Sequence, residues 1–264
     1  MAGGVCFEEA FVDGEVHWLT KPDDFVARII CFPHSKCDVF EQRLRALLSK
    51  GFIYFLETGW SFQGLRLIGK GFSGVVVLAK HARHGLGVLK LRRLDSRRES
   101  LRHEALMMKL AYETGLVPRL FIEHDDYIFR EFLPPWECIA FDEFIETSIL
   151  RGDLPALPPL FKGLLAKLSI LDKVKIDHGE LNRPGDHILV CGNRPVLIDW
   201  ESARKSNNPR NVTSVFSYLM FRSPFKDVIA GYFKWNQATV VEKLKLYKKT
   251  YDFSIIEELF TNVG

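Results

Sequence analysis

The sequence predicts an α+β fold in which a small antiparallel sheet with one helix precedes a larger, mostly helical part. Three observations predict it. Residues 65–92 read as consecutive short strands broken by glycine turns. Beyond Pro135 apolar residues recur at helical spacing, most clearly Leu160, Leu164, Leu165, Leu168 and Leu171. A chain of 264 residues, 47% hydrophobic and 26% charged, has the composition and length of a two-part globular domain. The expected organisation is an accessory segment over 1–60, a sheet-bearing part over 61–133 and a helical part over 134–264.

Each element has its own signal. Phe25, Ile29 and Ile30 suggest a short helix or strand. Phe40, Leu44, Leu47 and Leu48 fall at helical spacing, and Gly51 follows as a C-cap. Ile53 to Leu56 reads as a strand closed by the turn at Thr58 and Gly59. This helix and strand fit either a winged-helix-like unit or a plain extension packed on the next part. LRLIGKGFSGVVVLAKH then gives strand, glycine turn and strand, and GVLKLRRLD a third strand. Asp95 or Ser96 caps a helix bearing Leu101, Ala105, Met108 and Tyr112, which Gly115 ends. Strands follow around 120–123 and 127–132, and Pro134 and Pro135 break the pattern. In the last part, β-like pieces over 187–190 and 195–198 flank the turn at Cys191, Gly192 and Asn193. Helices are expected over 211–221, with Asn211 as N-cap, over 228–235 and over 239–251.

Composition excludes some function classes. A net charge of +3 is too small to imply nucleic acid by itself. The five cysteines, at 6, 31, 37, 138 and 191, include no CxxC pair. No disulfide framework is expected, and a reducing compartment fits. Cys31, His34 and Cys37 come nearest to a metal spacing, but no second pair completes four ligands. Ordinary packing or a loop accounts for them. MAGGVCFEEAF lacks the basic start and apolar run of a signal peptide. No stretch reaches the ~18–20 apolar residues of a membrane span. A cytoplasmic protein with no membrane partner is expected.

The residues with the clearest chemistry begin at Gly69, Gly71 and Gly74, which match GxGxxGxV in GKGFSGVVV. Without a Cβ, such glycines let the backbone around Lys70 approach phosphate oxygens closely. The dinucleotide fingerprint has the same spacing but needs a helix to start inside the motif. Here VVVL follows, and its β-branched run demands a strand, hence a hairpin lid. A merely bulged hairpin is the bland alternative. Lys90 ends the next strand and can reach phosphates as a compact point charge. Most strand-end lysines are only solvated, so the weight of Lys90 comes from its order after the glycines. Glu104 on the following helix has the polarity to pair with Lys90. Glu99 competes, but Glu104 lies beside the apolar positions Leu101, Ala105 and Met108.

Farther on, LVCGNRPVLIDWESA reads as a hairpin that leaves Asp199 at a strand end. Magnesium takes hard oxygen ligands, usually one or two carboxylates beside phosphate. A helix cap or a surface carboxylate is the plainer reading of Asp199. Upstream, IDHGELNRPGDHILV offers Glu180 as a proton acceptor and Asp186 and His187 as further metal ligands. Of these two, Asp186 is the harder donor and suits magnesium better.

Taken in order, Gly69/Gly71/Gly74, Lys90, Glu104, His178–Glu180 and Asp199 resemble a protein-kinase-like fold, with a sheet-bearing N-lobe and a reduced helical C-lobe. The set is similar to the small atypical kinases of the RIO type. It is closer still to a family of predicted archaeal Ser/Thr protein kinases, which shows LKxRRxDS, HGEL, a HIL-like run and IDxESA. Here these read Leu89–Ser96, His178–Leu181, His187–Leu189 and Ile198–Ala203, followed by NVTS at Asn211–Ser214. The resemblance covers about residues 45–222.

That resemblance implies ATP and Mg²⁺ as ligands and a phosphotransferase with a hydroxyl acceptor, an atypical serine/threonine kinase that can phosphorylate itself. It assigns the phosphates to the glycine hairpin and Lys90, adenine to the backbone of Glu131 and Leu133, and the metal to Asp199 with Asp186 or His187. Glu180 stands where kinases carry a catalytic aspartate, and it is the usual residue of the archaeal family. His187 stands two residues beyond the kinase asparagine spacing. Only Ser202 to Arg210 separates IDWE from the next helix, which leaves no extended peptide platform. A nucleotide-binding pseudokinase scaffold, an ATPase and a metabolite kinase are the rival readings. Lys90, Arg92, Arg93, Arg97, Arg98 and Arg102 crowd one stretch and suggest RNA, a ribonucleoprotein or a phosphorylated partner. A solvated face balanced by Asp95 and Glu99 is the bland alternative.

Overall fold

Alternation of apolar side chains along β-branched strands builds the first sheet. The computed structural model describes residues 13–260. The fold is α+β. The chain divides into two compact units, the first holding the chain up to Leu106 with Arg119–Phe132, the second Met107–Pro118 with the chain from Leu133 on.

The first unit runs β1 (Glu15–Trp18), α1 (Asp24–Ile30), α2 (Phe40–Ser49), β2 (Phe52–Glu57), β3 (Trp60–Phe62), β4 (Leu65–Leu67), β5 (Gly69–Lys70), β6 (Gly74–His81) and β7 (Gly85–Arg92). Then come α3 (Arg102–Ala111), which crosses the division, β8 (Leu120–Glu123) and β9 (Tyr127–Glu131). The antiparallel sheet has the order β1-β2-β6-β7-β9-β8, with β5 added beside β6. Strand side chains alternate between faces. Val75, Val77 and Ala79 of β6 and Leu89 and Leu91 of β7 enter one core with α1 and α2. Leu78 and Val88 point the other way, joining Leu56 and Leu86 with the half-buried Ile68, Val76 and Phe132.

Two expectations are corrected in this unit. Of the two readings of the N-terminal segment, the described residues up to 60 form no separate winged-helix unit, because β1 and β2 are strands of the same sheet as the glycine hairpin. The helix after the basic stretch starts at Arg102, not at the caps expected from Asp95 and Ser96. The Ser96 hydroxyl instead accepts the Arg98 N–H in a local turn.

The second unit contains β10 (Cys138–Ala140), α4 (Phe141–Leu150), α5 (Leu157–Lys173), β11 (Ile176–Asp177), α6 (Pro184–His187), β12 (Ile188–Cys191), β13 (Arg194–Leu197) and β14 (Arg204–Lys205). It ends with α7 (Asn211–Phe221), α8 (Lys226–Tyr232), α9 (Gln237–Thr250) and α10 (Ser254–Glu257). Strands β10, β12 and β13 form a small antiparallel sheet, and β11 pairs with β14. Helix α5 lies in the only described segment long and apolar enough to cross a membrane, Leu154–Lys173. Its stripe of Leu160, Leu164, Leu165, Leu168 and Leu171 is buried in the protein core.

The cysteines depart from expectation. Cys31 is bonded to Cys37, and Cys138 to Cys191. The second link joins directly opposed positions of β10 and β12, 53 residues apart, which only the strand register brings together. Cys6 lies outside the described residues. Bonds of this kind persist in oxidising surroundings. The cysteines therefore lend no support to a reducing compartment.

Candidate functional site

In the first unit the glycine stretch forms a hairpin. Gly69 and Lys70 pair with Val76 and Val75, and the Gly71 N–H donates to the Gly74 carbonyl at 2.8 Å. No helix starts inside the motif, so the dinucleotide arrangement does not apply. Gly74 is required by packing rather than by its dihedrals. A Cβ there would lie 2.7 Å from Lys90 Cγ and 2.9 Å from the Leu91 carbonyl.

Lys90 sits opposite Val76 in the β6–β7 register. Alternation puts it on the face of Val88 rather than that of Leu89 and Leu91, which face the core under α1 and α2. Its Nζ lies 2.8 Å from Glu104 Oε2 in the first turn of α3, with the two side chains only 7% and 6% exposed. Such a pair is costly to bury and is held only with good geometry. Glu131 ends β9, where its N–H donates to the Arg119 carbonyl and its own carbonyl accepts the Arg130 guanidinium. Leu133 belongs to the second unit and packs with Cys138 and Val196.

Four of the six basic groups meet acids. Lys90 has Glu104, Arg92 has Asp126, Arg93 has Asp95 and Arg102 has Asp125. Among the described residues Arg97 and Arg98 make no ion pair.

In the second unit the hairpin β12–β13 aligns the metal candidates. Ile188 faces Leu197, and the Ile198 N–H donates to the His187 carbonyl, extending the ladder one step. Asp186 and Asp199 therefore leave from the same open end. Asp199 adopts left-handed backbone angles, φ 62° and ψ 72°. A non-glycine residue rarely does so, and such positions cluster at functional sites. Asp186 is exposed, whereas His187 is half-buried with its Nδ1 enclosed and without a hydrogen bond. Of the two, the Asp186 carboxylate is the harder donor, and the His187 carbonyl takes part in the ladder.

The HGE triplet packs onto the same segment. Gly179 has φ +93°, and a Cβ on it would lie 2.7 Å from the Ser202 carbonyl. Glu180 Oε1 accepts the Ser202 hydroxyl at 2.7 Å. His178 is fully enclosed, its ring 4.9 Å from Trp200 and 5.9 Å from His187. Burial, with His187 beside it, pushes the His178 imidazole down to about 3, so it stays neutral.

A buried network holds this loop. Asn211 is not the N-cap of α7; Arg210 is, and it makes no side-chain cap. Instead Asn211 Oδ1 accepts the His178 N–H, while its Nδ2 donates to the Ile176 carbonyl and to Asp172. Asp172 also accepts the backbone N–H groups of Asn211 and Val212 and the Tyr247 hydroxyl. Burial raises the Asp172 carboxyl above its ordinary value against those hydrogen bonds. Asp142 braces the turn before β12. It accepts the Tyr218 hydroxyl at 2.6 Å and lies so close to Gly185 that a Cβ there would be 2.2 Å from its Oδ2.

Comparison with protein-family models and with curated proteins yields no match for this chain.

Proposed function

We propose that the chain is an ATP- and Mg²⁺-dependent phosphotransferase acting on a hydroxyl group, most like an atypical serine/threonine kinase. The observation that carries the reading is the Lys90–Glu104 pair, buried on the sheet face where Gly74 leaves room for the lysine stem. An apolar pair of similar volume is often as stable as a buried ion pair or more so, so burial alone does not account for the charges. A lysine so oriented meets phosphate oxygens as a fixed point charge. The half-buried Ile68, Val76 and Phe132 on the same face offer an apolar surface for a base.

The second unit supports the rest of the reading. Asp199 and Asp186 are hard oxygen donors leaving one end of a hairpin, the donor set that magnesium takes. When bound, ATP supplies the phosphoryl group and magnesium offsets its negative charge. Glu180 has one oxygen occupied by Ser202 and the other available to orient, and accept the proton of, an acceptor hydroxyl. Neutral His178 and the Asn211 network keep the Glu180 backbone in place.

The test is transfer of label from γ-labelled ATP, with the chain itself and with generic serine-bearing acceptors. Transfer is expected to fall at least ~100-fold in Asp199→Ala and in Glu180→Gln. Wild-type transfer retained by Asp199→Ala overturns the proposal. Binding of ATP with no transfer to any acceptor replaces it with a nucleotide-binding scaffold, and release of phosphate to water with an ATPase.

A further inference from the structure

The first unit contains a second cluster of ligand atoms, on β1 and β2, that the phosphotransferase reading does not use. Glu15 and His17 stand two apart on β1 and so share a face. Glu57 lies directly opposite Glu15 in the β1–β2 register. Like charges placed directly opposite one another destabilise a strand pair unless something offsets them. One ligand atom from each of Glu15, His17 and Glu57 lies within 4.8 Å of the other two.

The orientation of each group is set by the fold. His17 is 6% exposed and stacks on Phe25 at 4.2 Å. Its Nδ1 faces Asp23 Oδ2 at 2.6 Å, while Asp23 Oδ1 caps α1 through the Val26 N–H. A carboxylate on Nδ1 fixes the proton there and directs the Nε2 lone pair outward, as for metal-bound histidines. Glu57 Oε1 is occupied by the Arg66 N–H, leaving Oε2 beside His17 Nε2 at 3.2 Å. The Arg66 guanidinium pairs with Asp13 at 3.7 Å. A lone pair and a carboxylate oxygen that close repel each other unless a proton or a cation lies between them. Tetrahedral zinc, with bonds near 2.0–2.2 Å, sets neighbouring ligand atoms about 3.3 Å apart. The separation of His17 Nε2 and Glu57 Oε2 fits.

We propose that His17, Glu57 and Glu15 bind one divalent transition-metal ion of the zinc type, with Asp23 orienting the imidazole. The mixed nitrogen and oxygen donors suit zinc and disfavour magnesium. Glu15 is exposed, with a ligand atom within 4.8 Å of those of His17 and Glu57. The ion would tie β1 to β2 through side chains and offset the Glu15–Glu57 repulsion.

The experiment is calorimetric titration of the chelator-stripped full chain with Zn²⁺, without nucleotide, alongside thermal unfolding and zinc-edge X-ray absorption. One Zn²⁺ per chain is expected, with a raised Tm and a shell of one nitrogen and otherwise oxygen donors. Asp23→Asn keeps a capping residue for α1 and should weaken Zn²⁺ about 10–100-fold. Glu15→Gln should weaken it while keeping or slightly raising the metal-free Tm, because its repulsion with Glu57 is relieved, and it decides the matter should His17→Gln fail to fold. Asp199→Ala should bind Zn²⁺ like the wild type, which separates this site from the magnesium carboxylates. No bound zinc, equal binding in Glu15→Gln and Asp23→Asn, or sulfur in the shell from Cys31 and Cys37 overturns the proposal. The first of these would leave His17 in contact with the two carboxylates alone.

Discussion

In the first unit the candidate groups stand on a long strand pair and the first turn of a helix; in the second they stand on short loops. The difference shows in how each unit holds them. Lys90 is paired with an opposite charge, Glu104, on secondary structure that the sheet core already makes rigid. Glu180 lies in the six residues between β11 and α6, and Asp199 in the six between β13 and β14, where no strand ladder runs through the segment to fix the backbone. There the protein uses buried neutral and hydrogen-bonded groups: His178 against Trp200, Asn211 bonded to the His178 N–H and the Ile176 carbonyl, and Asp172 behind it. On the proposed reading, a charge is kept where a ligand's charge would be met. A network is kept where a loop must hold its shape.

The largest test of that contrast is to remove the anchor of the network. Asp172 accepts four hydrogen bonds and is fully buried. Asp172→Ala orphans the Tyr247 hydroxyl and three N–H groups around the start of α7. Each unsatisfied buried group costs about 1–3 kcal/mol, so a loss of roughly 5 kcal/mol is expected in urea unfolding. A loss below ~1 kcal/mol would mean that the loop is held by packing alone.

The next test is aimed at the charge pair. Lys90→Met strands a buried carboxylate at Glu104 and should cost about 3 kcal/mol. Lys90→Met with Glu104→Leu should recover most of that stability, because an apolar pair of similar volume replaces the ions. Nucleotide binding should stay lost in the double variant. Recovery of stability without recovery of binding would mark the pair as functional rather than structural. Recovery of both would break the comparison between the units.

The same contrast explains what the sequence discloses. The glycine hairpin is legible because the run after Gly74 is a local signal; β-branched residues continue as strand. The register of Lys90 follows from that strand, and the position of Glu104 from the apolar stripe beside it. In the second unit the loop residues are visible as types, but their supports are distant in sequence. Asn211 looks like a helix cap because its true partners, Asp172 and His178, lie 39 and 33 residues away. Asp142 gives no signal at all, since Tyr218, 76 residues on, is what marks it. Cys138 and Cys191 look single for the same reason, and the basic stretch looks unbalanced until Asp125 and Asp126 are folded onto Arg102 and Arg92. Non-local pairing is the common cause.

The smallest effect concerns Asp142, the brace of the turn that carries Asp186. Burial raises its carboxyl above the ordinary 3.8, against the Tyr218 hydrogen bond and with Asp186 adding repulsion. A group whose value is raised on folding binds its proton more tightly in the folded chain. Its contribution to stability is therefore complete below pH ~4, the unfolded value, and is lost as pH rises through the folded value. Asn at this position has no proton to lose. The stability of the wild type relative to Asp142→Asn should thus fall as pH climbs from ~4 and level off above the folded value, by under about 1 kcal/mol because the site is half open to water. Urea midpoints of the two proteins across that range measure the difference directly, with all other titrating groups in common. A gap that widens in favour of the wild type at higher pH would reverse the sign. It would mean that the ionised carboxylate is what the Tyr218 hydroxyl prefers, and that this turn is held by charge after all, as Lys90 is.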